Sequence, residues 1–313
     1  MKKFQLILLS LLSITSVVAQ DKEEIDAYVQ TFMGGTYYHK MPAVFNDVQN
    51  RTYINTLLEG YRADKDEEVR GRVYWLIRSI AYEVDDTTYT GQLIEKLVLS
   101  QLDSLYYIRS FAEDIRIFNK SQFTQTAIDS LYKLFLPVNK DKISRQNILL
   151  IGFVGAISQC DSLYNYAKEK LDDYHKRFGN NQFASLKWAS KLALARMGDK
   201  QMGQECINFM RKYKSDYSEY QNLCYYASYI RTNESIGFLV ELLHEDGLDS
   251  PLDGDEIGYP LAHYAIDHLQ SIIVNMPDVN KLNDRERIKV ARKWMKENKG
   301  KYVINTEIFW VWK

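Results

Sequence analysis

Helix breakers and cross-links are both scarce in this chain, which has five prolines, fifteen glycines and three cysteines in 313 residues. So few prolines and glycines suit helices joined by short connections. Cys160, Cys206 and Cys224 are too few for a disulfide framework and show no zinc-type spacing. All three sit in apolar, helical-looking patterns and read as small buried residues, with a Cys206 to Cys224 bridge as the alternative. An excess of one charge is missing too. Forty Lys and Arg meet forty-one Asp and Glu, for a formal net charge of -1. No basic block stands apart from compensating acids, which speaks against DNA or RNA as a partner.

Long apolar runs are absent beyond the N-terminus. Arg, Lys, Asp or Glu interrupts every later stretch that could cross a bilayer, so no integral membrane segment is expected. The exception, Phe4 to Val18, follows Met1-Lys2-Lys3 and leads into Val17-Val18-Ala19, with small residues where a signal peptidase reads. It is short for a span of about 20 residues, and Asp21 to Glu24 follow at once. Residues 1–19 therefore read as a cleaved secretory signal peptide. Gln20 and Asp21, where a lipoprotein would need cysteine, leave a soluble exported protein, periplasmic or secreted, as the expectation.

Catalytic signatures are also lacking. There is no Gly-x-Ser-x-Gly, no cysteine in a recognisable catalytic context and no phosphate-binding glycine loop. Gly34-Gly35 and Gly152-Phe153-Val154-Gly155 lack the lysine and strand context of such a loop, and Gly152 and Gly155 are expected instead to let two helices approach closely. No cofactor is expected.

What is present is amphipathic helix. A content of 46% hydrophobic and 26% charged residues is that of a folded chain. Apolar residues recur at spacings of three and four from about residue 53 to residue 295, while period-two alternation is sparse. The fold class predicted is all-α. A loose unit repeats, in which a turn with an acidic residue opens a helix, and a second turn leads to another. Asp66-Glu67-Glu68-Val69-Arg70 begins one copy, with Val73, Leu76, Ile77, Ile80 and Ala81 on one face, a turn at Asp85-Asp86, then Leu93 to Leu97. A second runs from Asp103 through Ile108, Ile115 and Phe118 to Leu134, and a third from Asp141 to Ile157. The fourth is Leu186 to Asp199 followed by Cys206 to Met210. Less regular copies centre on Tyr225 to Ile230 and Leu261 to Ile273. The period is roughly 35 to 43 residues, as in helical-hairpin repeats.

Asp66-x-x-Val69-Arg70 opening a helix and Ala193-Leu194-Ala195-x-Met197-Gly198-Asp199 closing one resemble the HEAT repeat of the armadillo-type α-solenoids. The resemblance implies a right-handed α-α superhelix of antiparallel helix pairs, with inner helices lining a concave surface that engages a protein or peptide. The organisation expected is a signal peptide at 1–19, an N-terminal cap region at 20–60, HEAT-like repeats at 61–282, and a C-terminal capping helix with an aromatic tail at 283–313. That tail, Phe309-Trp310-Val311-Trp312, is expected to fold back over the last repeat, with docking onto a partner as the alternative.

Function is then expected to be non-enzymatic binding or scaffolding. Arg70, Tyr74 and Arg78 follow i, i+4, i+8 spacing, and Arg109 and Arg116 repeat the pattern in the next copy. Arg145, Lys187 and Lys191 extend the series into a candidate partner-binding ridge of cations and tyrosine. The competing reading is internal pairing, Arg70 with Asp66 and Arg145 with Asp141. An alternative function, a metal-dependent enzyme or metal-binding module, centres on residues 244–268. There Glu245, Asp246, Asp249, Asp253, Asp255 and Glu256 precede His263, Asp267 and His268. Their spacing does not reproduce a calcium loop, and a separation of five positions puts the two histidines on different helix faces.

Overall fold

The computed structural model describes residues 20–35, 40–103, 105–135, 145–155, 163, 186–216, 219–248 and 260–309. The expected signal peptide, the centre of the acidic loop and Trp310 to Lys313 lie outside these residues, as do Cys160, Asp141, His39 and His175. The fold is all-α, and the described residues contain isolated β-bridges but no strand. Among them no helix is long and apolar enough to cross a membrane. The chain divides into two compact units, Met1–Leu134 and Phe135–Lys313, a division that falls inside the repeat region 61–282.

The first unit opens with a regular helix, α1, over residues 20–33, inside the expected N-terminal cap region of residues 20–60. Ile25, Val29 and Phe32 are its buried face, and Tyr28 meets Phe45 edge-on at 5.2 Å. After two 3-10 turns come α2 (Arg51–Arg62), α3 (Glu67–Glu83) and α4 (Thr87–Val98). The acidic residue in each repeat's turn has a physical role. Asp66 accepts from the Glu68 amide and Asp86 from the Tyr89 amide, satisfying amides that a helix N-terminus leaves without partners. α3 packs against both α2 and α4.

The next copy departs from expectation. Instead of one helix from Asp103 to Phe118, the chain forms two single turns, α5 (Tyr106–Arg109) and α6 (Phe111–Asp114), then a 3-10 turn over Ile115–Ile117. At the break the Ser110 hydroxyl donates to the Tyr107 carbonyl at 2.6 Å, the local competition that makes serine a poor helix interior residue. α7 (Gln125–Phe135) follows.

The second unit contains α8 (Arg145–Val154), α9 (Leu186–Arg196), α10 (Lys200–Arg211), α11 (Tyr220–Ile230), α12 (Asn233–Leu243), α13 (Leu261–Ile272) and α14 (Asp284–Glu297). From α9 onward each helix packs on the next. Alternate helices pack as well: α8 on α9, α9 on α11 and α11 on α13 make one layer, and α10 on α12 and α12 on α14 a second. Two of the connections are short enough to enforce this. Met197 to Asp199 separate α9 from α10, with Gly198 at φ 101 making the turn and Asp199 capping α10 through the Met202 amide at 2.9 Å. Only Arg231 and Thr232 separate α11 from α12.

α8 and α9 form the tightest contact. Residues 147–154 and 188–190 with 192–195 are buried, so these helices are apolar almost all round rather than along one stripe. A Cβ built on Gly152 would lie 2.5 Å from Ala193 Cα, which meets the expectation of close approach. Cys206 and Cys224 are buried free thiols, in agreement with their reading as small core residues.

Candidate functional site

The predicted ridge is not displayed as drawn from the sequence. Tyr74 is buried at 4% exposure, stacks on Phe111 at 6.1 Å and accepts from Arg62 Nε at 3.3 Å. Arg70 pairs with Asp103 in the following copy, Nε to Oδ2 at 2.9 Å, and not with Asp66, whose carboxylate is engaged as a helix cap. Hydrogen bonding to Asp103 raises the Arg70 pKa. Arg109 donates to the Asp103 backbone carbonyl at 3.1 Å. Arg78 reaches Asp114 at 3.4 Å, whose carboxyl is held above its ordinary value by burial despite Arg78 and Arg116. In the second unit Lys191 pairs with Glu205 at 2.6 Å, Lys187 is partly buried, and Arg145 donates to the Tyr226 hydroxyl at 2.8 Å. The ion pairs stitch copies together across the sequence, which a search at i, i+4 spacing cannot find.

The face of α3 that does reach solvent carries Trp75, 45% exposed, and Tyr82, 72% exposed. Seven residues apart, they stand two turns from each other on one side of the helix. Trp75 touches Phe111 edge-on at 6.3 Å, the Arg78 guanidinium lies 5.4 Å from its ring, and Ile117 on the adjoining 3-10 turn is 45% exposed. Both aromatics lie beside the predicted positions on α3.

The described residues of 244–268 do not converge on one site. Glu245 pairs with Lys214 and Asp246 with Arg292, each at 2.7 Å, and the Leu261 amide donates to the Gly247 carbonyl at 3.0 Å, joining the two ends of the loop. His263 is fully buried, and its Nδ1 accepts from Arg287 Nη1 at 2.9 Å, which places its proton on Nε2. Asp267 shares that face, as expected, but is bonded by the same guanidinium, which also reaches Asn280 Oδ1 at 3.0 Å. Burial, then the Arg287 charge, lowers the His263 pKa. His268 lies elsewhere, with Nδ1 2.9 Å from Ser228 Oγ. Among the described residues no group of three or more His, Cys, Asp or Glu side chains could hold a metal ion; Asp249, Asp253, Asp255 and Glu256 lie outside them.

Sequence reading missed a third arrangement. After α14 the chain turns at Gly300, φ 77, and residues 303–309 run back across the C-terminal ends of α8, α9, α11 and α13. Val274 donates its amide to the Val303 carbonyl and Asn305 donates to the Ile272 carbonyl, both at 2.8 Å. Phe309, 1% exposed, meets Phe153 at 5.4 Å and Tyr229 at 5.9 Å. The chain thus folds back as far as Phe309, which packs on α8 and α11; Trp310 to Trp312, the rest of the expected cap, lie outside the described residues. Two arginines hold the returning segment. Arg196, the last residue of α9, and Arg231, the C-cap of α11 with φ 57, bond to its carbonyls, and burial lowers the pKa of both guanidiniums. Their place at helix C-termini opposes that cost, because the helix dipole is negative there.

No known protein family, curated protein or solved structure matches this chain.

Proposed function

We propose that the protein is an exported, non-enzymatic binding or scaffold protein, a HEAT-like α-solenoid that engages a protein or peptide partner through its helical surface, with residues 1–19 directing export. Support for the repeat architecture comes from the second unit, where hairpins with short turns stack in two layers, and from the acidic residues that cap α3, α4 and α10. A hairpin buries only one side of itself, so a stack of them is what this packing serves.

The observation that carries the binding reading is the exposed strip of Trp75 and Tyr82 on one side of α3. Indole and phenol rings supply large contact area at low entropic cost and are enriched among the residues that dominate protein interfaces.

Selection of a random peptide library on the intact protein tests this. Enriched peptides are expected to lose at least about tenfold in affinity, about 1.4 kcal/mol, for a Trp75→Ser, Tyr82→Ser variant with unchanged circular dichroism. Equal binding by the variant removes the strip from the proposal, and absence of any enriched peptide counts against the binding function itself.

A further inference from the structure

The segment over residues 303–309 is held in a way that hardly depends on its own side chains. Arg231 donates to the carbonyls of Asn305 and Phe309, and Arg196 to those of Thr306 and Ile308. The same guanidiniums bond to the helix-end carbonyls of Ser228 and Tyr229. Among the described residues these guanidiniums bond to main-chain carbonyls, and Glu307 acts on Arg196 through its charge. Two further main-chain bonds join Val303 and Asn305 to Val274 and Ile272. Thr306 and Glu307 face solvent, and the side chain that is fully buried is Phe309, between Phe153 and Tyr229. Recognition by main-chain hydrogen bonds together with one side-chain pocket is the physics by which extended peptides are bound, with the backbone supplying affinity and the pocket specificity.

We propose that the C-terminal ends of α8, α9, α11 and α13 form a peptide-binding groove that residues 303–309 fill in cis as the chain's own ligand. The partner it fits is an extended segment of another polypeptide, with an aromatic residue four positions after the first clamped carbonyl, as Phe309 follows Asn305. This deepens the binding function proposed above and rests on it, but uses no residue of α3. The segment is tethered at an exposed turn, Lys299-Gly300-Lys301, and acts as an intramolecular competitor at high effective concentration. A partner in trans must outcompete it.

The tether also provides the test. Lys299, Gly300 and Lys301 are all exposed, so a specific protease site can be inserted after Lys301, leaving the Gly300 turn intact, and cut after the whole chain has folded. The cut tail is expected to remain bound on gel filtration. A synthetic peptide of residues 301–309 should displace it, and so should a peptide with the residues between Val303 and Phe309 permuted, within a few fold of the native sequence, because the carbonyls are common to both. A peptide with Ser for Phe should be about 10- to 100-fold weaker, from the lost burial of one aromatic side chain.

Displacement by the native sequence alone overturns the inference, because the contact is then a private strap. So does a tail that no peptide displaces, or one that leaves on cutting and is not replaced while the body stays helical. The cut protein carrying Trp75→Ser and Tyr82→Ser should bind these peptides as the parent does, so failure of the groove and failure of the α3 strip are read separately.

Discussion

Replacing Gly152 by alanine inserts a single methyl group where α8 and α9 touch. The added carbon would lie 2.4 Å from the Tyr229 hydroxyl oxygen, 2.5 Å from Ala193 Cα and 2.6 Å from Ala193 Cβ. Carbon atoms pack at about 3.5 to 4.0 Å, so roughly 1 Å must be found. Two of the three obstructing atoms belong to Ala193, on or next to the backbone of a buried helix, and cannot swing aside. The third can move only by releasing the bond that Tyr229 donates to the Leu149 carbonyl at 2.5 Å. Overpacking of this kind costs about 1–3 kcal/mol, and the lost hydrogen bond about 1 kcal/mol. Alanine's better helix propensity returns up to about 1 kcal/mol. A net loss of about 1–3 kcal/mol lowers the melting temperature of a unit this size by about 3–10 °C. Thermal unfolding followed by circular dichroism measures it, with Gly237→Ala as control. Gly237 lies on the exposed side of α12 with nothing within 4 Å of a built Cβ, so alanine there should stabilise by about 0.5–1 kcal/mol. Equal or higher melting for Gly152→Ala would refute the close approach of α8 and α9.

Acid should destabilise the second unit through His268. Ser228 Oγ already donates to the Tyr225 carbonyl, so it accepts from His268 Nδ1, and burial holds the ring neutral with a pKa of about 4 against 6.5. The unfolded chain takes up this proton first. Stability from this group is therefore complete above about pH 6.5 and lost as pH falls toward 4, by up to about 3 kcal/mol. Urea unfolding at stepped pH should show a shallower loss for His268→Gln, and an unchanged slope would contradict the assignment. Burial also raises the thiol pKa of Cys206 and Cys224. Peptide mapping after iodoacetamide treatment should find both unmodified in the folded protein and both modified in urea; labelling before unfolding would contradict their burial.

Much of the helical layout was legible because it is local. Asp66, Asp86 and Asp199 announce helix starts, since a short acidic side chain reaches the amides two or three residues on. The segments Leu186 to Asp199, Tyr225 to Ile230 and Leu261 to Ile273 correspond to α9, the C-terminal half of α11, and α13. The Asp103 copy was misread because apolar spacing continues through Ser110 while the backbone does not. The binding surface was legible only in part. Periodicity located α3, but it placed Tyr74 outside and gave no weight to Trp75 and Tyr82, because which side of a helix stays open depends on the neighbours it acquires.

By itself, then, the sequence determined that this is an all-α protein of paired helices opened by acidic turns, with a balanced charge. Each of these follows from residues a few positions apart or from composition. Tertiary structure alone decided that Arg70 meets Asp103, that Arg287 joins His263 to Asp267, and that Arg196 and Arg231 hold the carbonyls of Asn305, Thr306, Ile308 and Phe309. These contacts unite groups separated by 20 to 112 positions. Such pairings are set by how helix ends stack in space, and no pattern along the chain encodes them.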